Sequence, residues 1–334
     1  MIKVGILGAG TVTSGSHLPV LVNMPGVSVD WICDRSITAA QAVAKPYRIK
    51  NVQTKLSECT DVDIVLVATP VGSRNSLIPD ILSRGWHAFC EKPFALSLKD
   101  HDSYVAAAAL HGLQIGVGQV RRYARPTATA RKLLQSGFLG PVIRVGAAEG
   151  AGVHGTGRGS DWYMTDPSDG GGVLMETGSH LVDQVLFILG ATDASLIECT
   201  QRRHMGLELA SSVLARISTA QSESVMCCIE LSMLDDLCNG IFIEFQNYLL
   251  KVGLFFNGEL SLVSKGGSVL SDLVQTEGVS DPMQAFCQEW KDFIQQCQSN
   301  KPSIIDAVTV RYTTALIEAS YKCAQNLGGV NSEA

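Results

Sequence analysis

Charged residues are scarce in this 334-residue chain, at 17%, and basic ones are not in excess: 26 Lys and Arg stand against 32 Asp and Glu, a net charge of -6. A nucleic-acid surface needs a basic stripe, so this balance argues against nucleic-acid binding. Hydrophobic residues make up 46% of the chain, which excludes a disordered composition. The length predicts two domains and is ample for a large core.

The 10 cysteines contain no Cys-x-x-Cys pair, so their spacing does not suit zinc and no metal is expected. Cys227 and Cys228 are adjacent and would point to opposite faces of a strand, which makes them a poor disulfide. Cys33, Cys90 and Cys199 fall inside apolar runs. They are predicted to be small buried side chains in a reducing compartment.

Long apolar runs are also missing. No uninterrupted run reaches the ~18 residues that a membrane helix needs, so no membrane partner is expected. Strand-like sequence begins at Ile2, and no signal peptide is expected before it. Together these absences predict a soluble, cytoplasmic protein.

Apolar strand-like segments alternate with helical segments through about the first 119 residues. The predicted strands are Ile2–Leu7, Val27–Cys33, Val62–Ala68, His87–Cys90 and Gln114–Val117. One intervening helix is ended by Gly85, and another is opened by a Ser97-x-x-Asp100 capping box. This alternation predicts a doubly wound parallel sheet.

Two features of this region point to a dinucleotide. The first strand ends in Gly8-Ala9-Gly10, where glycines let a backbone turn approach a pyrophosphate, although a plain glycine turn is an alternative. Thr13 replaces the third glycine of the motif, and Pro19 lies inside the expected helix, so the loop is predicted to continue to about His17.

The second feature is an acid at the end of the second strand. Asp34 occupies the position that binds a ribose 2′-hydroxyl in dinucleotide-binding folds. The alternative is that Asp34 or Ser36 caps the following helix.

The tetrapeptide Cys90-Glu91-Lys92-Pro93 comes after two apolar strands, Val62–Ala68 and His87–Cys90. Open α/β sheets bind ligands at the carboxyl ends of their strands, so Lys92 lies where a reacting group belongs. Pro93 fixes the backbone beside it. A surface turn with solvated Glu and Lys is the alternative.

The second half of the chain contains consecutive strand-like runs with few helices between them, which predicts a largely antiparallel sheet. The helices Pro282–Cys297 and Asp306–Asn326 are predicted to close the fold. Because so few helices cover so large a sheet, a face remains to be buried, and a homodimer or homotetramer is expected.

Three glycines at 170–172 precede a helix that carries Glu176, His180 and Asp183. Glu176 and His180 are four residues apart and share one helix face. A structural pair on the helix surface is the alternative, and a metal site lacks an evident third ligand.

The order of these motifs resembles that of the Gfo/Idh/MocA family of nicotinamide-dependent oxidoreductases, which act mostly on sugars, cyclitols and their derivatives. The resemblance covers nearly the whole chain. Its matching residues are Gly8-Ala9-Gly10, Asp34, Ala68-Thr69-Pro70, Glu91-Lys92-Pro93, Arg121-Arg122-Tyr123, Pro126, Gly137, Gly140 and Gly170 to Asp183.

The resemblance implies an α/β protein with an N-terminal Rossmann domain over 1–120 and a C-terminal α+β domain, with a large and mostly antiparallel sheet, over 121–334. It implies an NAD(P)-dependent dehydrogenase or reductase acting on CH–OH groups, with NAD as cofactor and NADP possible. The implied catalytic residues are Lys92, His180 and Glu176. The implied cofactor-binding residues are Gly8, Gly10, Thr11, Val12, Asp34, Arg35, Ala68, Thr69, Pro70, Asn75, Glu91, Lys92 and Gln119. The expected substrate contacts are Lys92, Arg122, Arg158, Asp161, Trp162, Tyr163, Glu176 and His180.

Two departures from the family pattern concern the site. Glu176 stands where the family usually has Asp, and Arg74 stands where a His is common. Two other activities are compatible with the resemblance: an NAD-dependent glycosidase of the same family and a non-catalytic NAD(P)-binding regulator. The presence of both Lys92 and His180 favours an enzyme.

Overall fold

A computed structural model describes residues 1–151, 171–204, 206–266, 269–273 and 275–326. The chain forms two compact units. Met1–Val120 and Met283–Val310 make up the first unit, and Arg121–Pro282 with Arg311–Ala334 make up the second.

The helices of the described residues are α1 Leu18–Leu21, α2 Ile37–Ala44, α3 Arg74–Ser83, α4 Leu98–His111, α5 Arg125–Gln135, α6 Val173–Glu176, α7 Gly178–Leu189, α8 Pro282–Ser299 and α9 Arg311–Asn326. The strands are β1 Ile2–Leu7, β2 Val27–Cys33, β3 Asn51–Gln53, β4 Ile64–Val67, β5 His87–Glu91, β6 Ile115–Gly118, β7 Arg144–Gly150, β8 Ala191–His204, β9 Leu207–Thr219, β10 Ser222–Ser232, β11 Gly240–Glu244, β12 Tyr248–Val252, β13 Leu260–Ser264 and β14 Val269–Asp272.

The first unit contains the predicted parallel sheet. Its strand order is β3-β2-β1-β4-β5-β6, and every neighbouring pair is parallel. Strand order therefore reverses between β1 and β4, the place where open α/β sheets form a ligand crevice. The short strand β3 was not predicted, because its three residues carry too little pattern to be detected.

Helix α8 packs on this sheet. The Trp290 ring stacks on Phe89 of β5 with centroids 4.4 Å apart, and a Cβ on Gly116 of β6 would lie 2.6 Å from the Phe293 ring. The segment 283–310 therefore belongs to the first unit. The domain bounds expected from the sequence placed all of 121–334 in the second domain. No local pattern shows where a late helix will pack.

The second unit contains an eight-stranded sheet in the order β14-β13-β12-β11-β7-β10-β9-β8. Only the β7–β10 pair is parallel among the described strands, so the predicted, mostly antiparallel sheet is confirmed. Strand β14 was not predicted.

Cysteine placement follows the sequence expectation. Cys227 is buried and its neighbour Cys228 is exposed, as expected for adjacent strand residues. Cys33, Cys90 and Cys199 are buried free thiols, as predicted. Among the residues that the structure describes, no helix is both long enough and apolar enough to span a membrane.

Candidate active site

In the glycine turn after β1, Gly8 and Gly10 have different roles. Gly8 has φ of +100°, and a Cβ there would lie 2.5 Å from the Ala68 carbonyl oxygen. Only glycine therefore allows β1 and the end of β4 to approach so closely. Among the residues that the structure describes, a Cβ on Gly10 would meet nothing within 4 Å, so this side of the turn is open to a ligand. The turn fits a pyrophosphate, as a dinucleotide requires.

The chain after the turn is helical rather than a loop. Thr13–His17 forms a π-helical turn that leads directly into α1, so the prediction of a loop to about His17 is wrong. Pro19 lies at the start of α1, where its missing N–H costs nothing. The Thr13 hydroxyl donates to the Gly8 carbonyl at 2.7 Å, which accounts for threonine at the third glycine position.

Asp34 ties the glycine turn to the end of β2. Its Oδ2 accepts the Ala9 N–H at 2.8 Å, and its Oδ1 accepts the Ser36 N–H at 2.8 Å. The N-cap of α2 is Ser36, whose hydroxyl oxygen accepts the Ala39 N–H at 3.2 Å. A carboxylate offers about four acceptor positions, so Asp34 retains capacity for ribose hydroxyls.

Glu91 is held by groups that the sequence analysis missed. His17 Nε2 lies 2.7 Å from Glu91 Oε1, and the Trp290 indole N–H donates to His17 Nδ1 at 3.0 Å. An indole nitrogen can only donate, so Nδ1 is the acceptor and the His17 hydrogen is on Nε2, pointing at the carboxylate. No sequence signal links residues so far apart.

The charge of Glu91 is set by these contacts. Burial alone would raise its pKa, but the hydrogen bond from His17 and the nearby charges of Lys92 and Arg74 hold the pKa below its ordinary value. The second carboxylate oxygen accepts the Lys92 backbone N–H at 3.1 Å. The residue before the lysine is therefore a fixed anion.

The other predicted cofactor-binding residues of the first unit follow strands of the parallel sheet or lie in α3. Ala68–Pro70 follows β4, and Gln119 follows β6 and is buried. Asn75 lies in α3, where its side-chain oxygen accepts the Tyr104 hydroxyl. Thr11, Val12 and Arg35 follow β1 and β2. The predicted residues thus concentrate at the carboxyl ends of the parallel strands, as a Rossmann site requires.

In the second unit, Glu176 ends α6 and His180 lies in the first turn of α7. Thr177 between them keeps helical dihedral angles, so the two residues remain one turn apart. The Ser179 hydroxyl donates to the Glu176 carbonyl at 3.0 Å, and the His180 N–H bonds instead to Thr177. This competition by a serine explains the break between α6 and α7.

Two buried arginines anchor α7. Arg122 donates to both oxygens of Asp183, at 2.7 and 2.6 Å, and is 2% exposed. Arg121 donates to Glu149 at 2.6 and 2.9 Å and to Gln184 at 3.3 Å. These paired groups fix the helix that carries His180. The structure gives Arg122 this structural ion pair, and its contact with substrate stays a prediction.

Gly172 packs directly on the buried carboxyl of Glu208. Its φ is +99°, and a Cβ there would lie 2.0 Å from Glu208 Oε1. That oxygen accepts the Leu174 N–H at 3.3 Å and the Tyr321 hydroxyl. Burial raises the Glu208 pKa, although these hydrogen bonds oppose the rise. The third glycine is therefore required by an acid that the sequence analysis did not single out.

Four predicted substrate contacts lie outside the described residues: Arg158, Asp161, Trp162 and Tyr163. Within the described part of the chain, no group of at least three His, Cys, Asp or Glu side chains is arranged to hold a metal.

Comparison with known families decides the membership of the chain. The model of an oxidoreductase family with an NAD-binding Rossmann fold matches residues 2–119, and the GFO/IDH/MocA C-terminal domain matches residues 127–235. The chain belongs to the Gfo/Idh/MocA family. The first unit of this family member is thus an NAD-binding Rossmann domain, and the glycine turn described above fits that cofactor.

Known relatives of this Gfo/Idh/MocA protein include sugar dehydrogenases. D-glucoside 3-dehydrogenase of Escherichia coli is 26% identical over 194 residues, which cover 57% of this chain and 54% of that enzyme. The chain spans about half the length of the curated relatives it matches first.

Solved structures share the fold at low identity. An oxidoreductase from Agrobacterium radiobacter, solved with NAD+, L-tartaric acid and magnesium, has a TM-score of 0.79 at 19% identity, covering 97% of this chain and 96% of that one. The 3-ketoreductase KijD10 from Actinomadura kijaniata, solved with NADP and TDP-benzene, has a TM-score of 0.77 at 18% identity, covering 96% and 97%.

Proposed function

We propose that this chain is an NAD(P)-dependent oxidoreductase that moves a hydride between the nicotinamide and a carbinol carbon of a sugar, cyclitol or related polyol. The observation that carries the proposal is the position of Lys92. It follows Glu91, the last residue of β5, and that carboxylate is fixed by His17 at 2.7 Å. The same edge of the sheet holds the Gly8–Gly10 turn, which is built for a dinucleotide.

The bound cofactor would accept or supply the hydride. In the oxidative direction, the carbinol carbon loses its hydride and the hydroxyl loses its proton, so a carbonyl forms. Lys92 donates a hydrogen bond to the oxygen, and His180 accepts the proton, because imidazole exchanges protons near neutral pH. Glu176 orients His180 or holds the substrate. We propose the same acid–base pair for the reverse reaction.

A substrate panel tests this proposal. The protein is mixed with NAD or NADP and with D-glucosides, free sugars, inositols, amino-cyclitols and nucleotide sugars, and cofactor reduction is followed by absorbance. D-glucosides are tried first because the relative in Escherichia coli is a D-glucoside 3-dehydrogenase. Turnover with any carbinol substrate supports the proposal.

Two results would overturn it. Release of p-nitrophenol from p-nitrophenyl glycosides, with NAD retained and no net reduction, would identify the glycosidase alternative. Cofactor binding without any turnover across the panel would identify the non-catalytic regulator.

We expect this protein to prefer NAD to NADP by at least about tenfold in kcat/KM, because the Asp34 carboxylate repels a 2′-phosphate. The Ala9 and Ser36 N–H groups hold that carboxylate in place. Steady-state kinetics with each cofactor measure the ratio. Asp34→Ser should lower the ratio of kcat/KM with NAD to kcat/KM with NADP. Asp61→Ser is the control, because Asp61 is exposed. A parent that prefers NADP would show that the assignment of Asp34 to the adenosine ribose is wrong, with the adjacent Arg35 available to bind the 2′-phosphate.

We also propose that the chain forms a homodimer or homotetramer through the eight-stranded sheet. Ile197 of β8 and Met226 of β10 are 45% and 37% exposed, so apolar side chains remain uncovered on this sheet. Light scattering at micromolar concentration measures the mass, and a monomeric value would refute the assembly.

A further inference from the structure

Arg74 is in an unusual position for a cation. It is the first residue of α3 and only 1% exposed, and no acidic residue occupies the first turn of that helix. The amino end of a helix is electropositive and disfavours a cation. A buried guanidinium is also costly unless acceptors satisfy its N–H groups. Its presence here therefore requires strong local contacts.

Those contacts join two loops of the candidate site. Arg74 Nη2 donates to the Thr69 carbonyl at 3.2 Å, in the loop after β4. Nη1 donates to the Phe94 carbonyl at 3.2 Å and to the Pro93 carbonyl, both in the loop after β5. One planar group thus ties the Ala68–Pro70 loop to the two residues that follow Lys92.

Lys92 is consequently held from both sides. The Glu91 side chain before it accepts the Lys92 N–H and is bound by His17. The carbonyls after it are bound by Arg74. The direction in which a long, flexible side chain leaves the backbone depends on that backbone, so these two clamps set where the ammonium can reach.

We propose that Arg74 is a positioning residue, whose guanidinium holds the backbone after Lys92 and so aims the lysine at the carbinol oxygen. This inference rests on the proposed function of Lys92. A histidine at this position would have at most two N–H groups and could not donate to three carbonyls. Lysine has three donors but no planar fork, so it can replace arginine only in part.

A double-mutant cycle tests the inference. Arg74→Met, Lys92→Ala and the double variant are compared with the parent in single-turnover reduction of bound NAD, with the best substrate of the panel, methyl β-D-glucoside being tried first. We expect Arg74→Met to lower the maximal rate by about tenfold or more, because small displacements of a reacting group are costly. KM and the dissociation constant of NADH should change little.

The decisive measurement is the effect of Arg74→Met on the rate in the Lys92→Ala background. If Arg74 acts through the lysine, Arg74→Met should have almost no further effect there, since residues that act as a unit are not additive. Arg74→Lys should recover part of the rate. Arg84→Met is the matched control: Arg84 follows the same helix, lies half-buried against Trp86 and pairs with Asp80 at 3.0 Å.

The outcomes separate the two proposals. Near-parental rates in Arg74→Met, or an equal fractional loss in both backgrounds, would overturn the positioning role alone. A near-parental rate in Lys92→Ala would overturn the proposed catalytic role of Lys92 instead. If circular dichroism shows that Arg74→Met does not fold, Arg74→Lys takes its place in the same cycle.

Discussion

Replacing Lys92 or His180 with alanine should each lower the maximal rate by roughly a hundredfold or more, as the loss of general acid–base catalysis does. The two residues belong to different units, and each is supported by its own buried groups. Glu91 and His17 fix the backbone at Lys92. The Arg122–Asp183 pair fixes the helix of His180.

Cofactor binding should change little in either variant, because neither side chain is assigned to the pyrophosphate or the adenosine. If both act on one proton, the double variant should lose less than the sum of the two effects on a logarithmic scale. Glu176→Gln should have a smaller effect if the carboxylate only orients His180, and a comparable one if it binds the substrate.

Single-turnover reduction of bound NAD at saturating substrate measures each rate. Lys99→Ala is the control, because Lys99 is an exposed residue in the first turn of α4. Chemistry near the parental rate in Lys92→Ala would refute the proposed role of Lys92 in the dehydrogenase mechanism.

Gly8→Ala should destabilise the first unit by about 3 kcal/mol, from backbone strain at positive φ and from overpacking. The new Cβ would lie 2.5 Å from a backbone oxygen, which cannot move aside as a side chain can. No described residue lies within 4 Å of a Cβ on Gly10, so the stability of Gly10→Ala should be parental. Its affinity for NADH should nevertheless fall at least about tenfold, because a methyl group blocks the approach of a pyrophosphate.

Thermal unfolding and NADH fluorescence titration separate the two effects. Gly15→Ala is the matched control, since Gly15 is exposed and its Cβ would also meet nothing within 4 Å in the described part of the chain. Parental stability in Gly8→Ala would contradict the close approach of β1 to Ala68. Parental NADH affinity in Gly10→Ala would contradict the placement of the pyrophosphate.

Elements with a strong local pattern were predicted well. The bounds of β1 and β2 agree with the prediction at both ends, and Ser97 caps α4 by accepting the Asp100 N–H at 3.1 Å. Prediction failed where a local cue had two outcomes. Pro19 was expected in the first turn of a helix, where the structure has it, but the segment before it, expected to be a loop to about His17, forms a π-helical turn.

The sequence by itself determined the Rossmann alternation, because periodicity is a property of a single segment. Its motifs, among them those of Gly8, Asp34 and Lys92, carried the resemblance that pointed to the family. Only the tertiary structure decided what holds them. His17 and Glu91 are 74 residues apart, and Trp290 and His17 are 273 apart. Arg74 reaches Phe94, and Glu208 lies beneath Gly172. Each of these side chains is unremarkable within its own segment, and its role arises from a partner that strand order and packing bring to it.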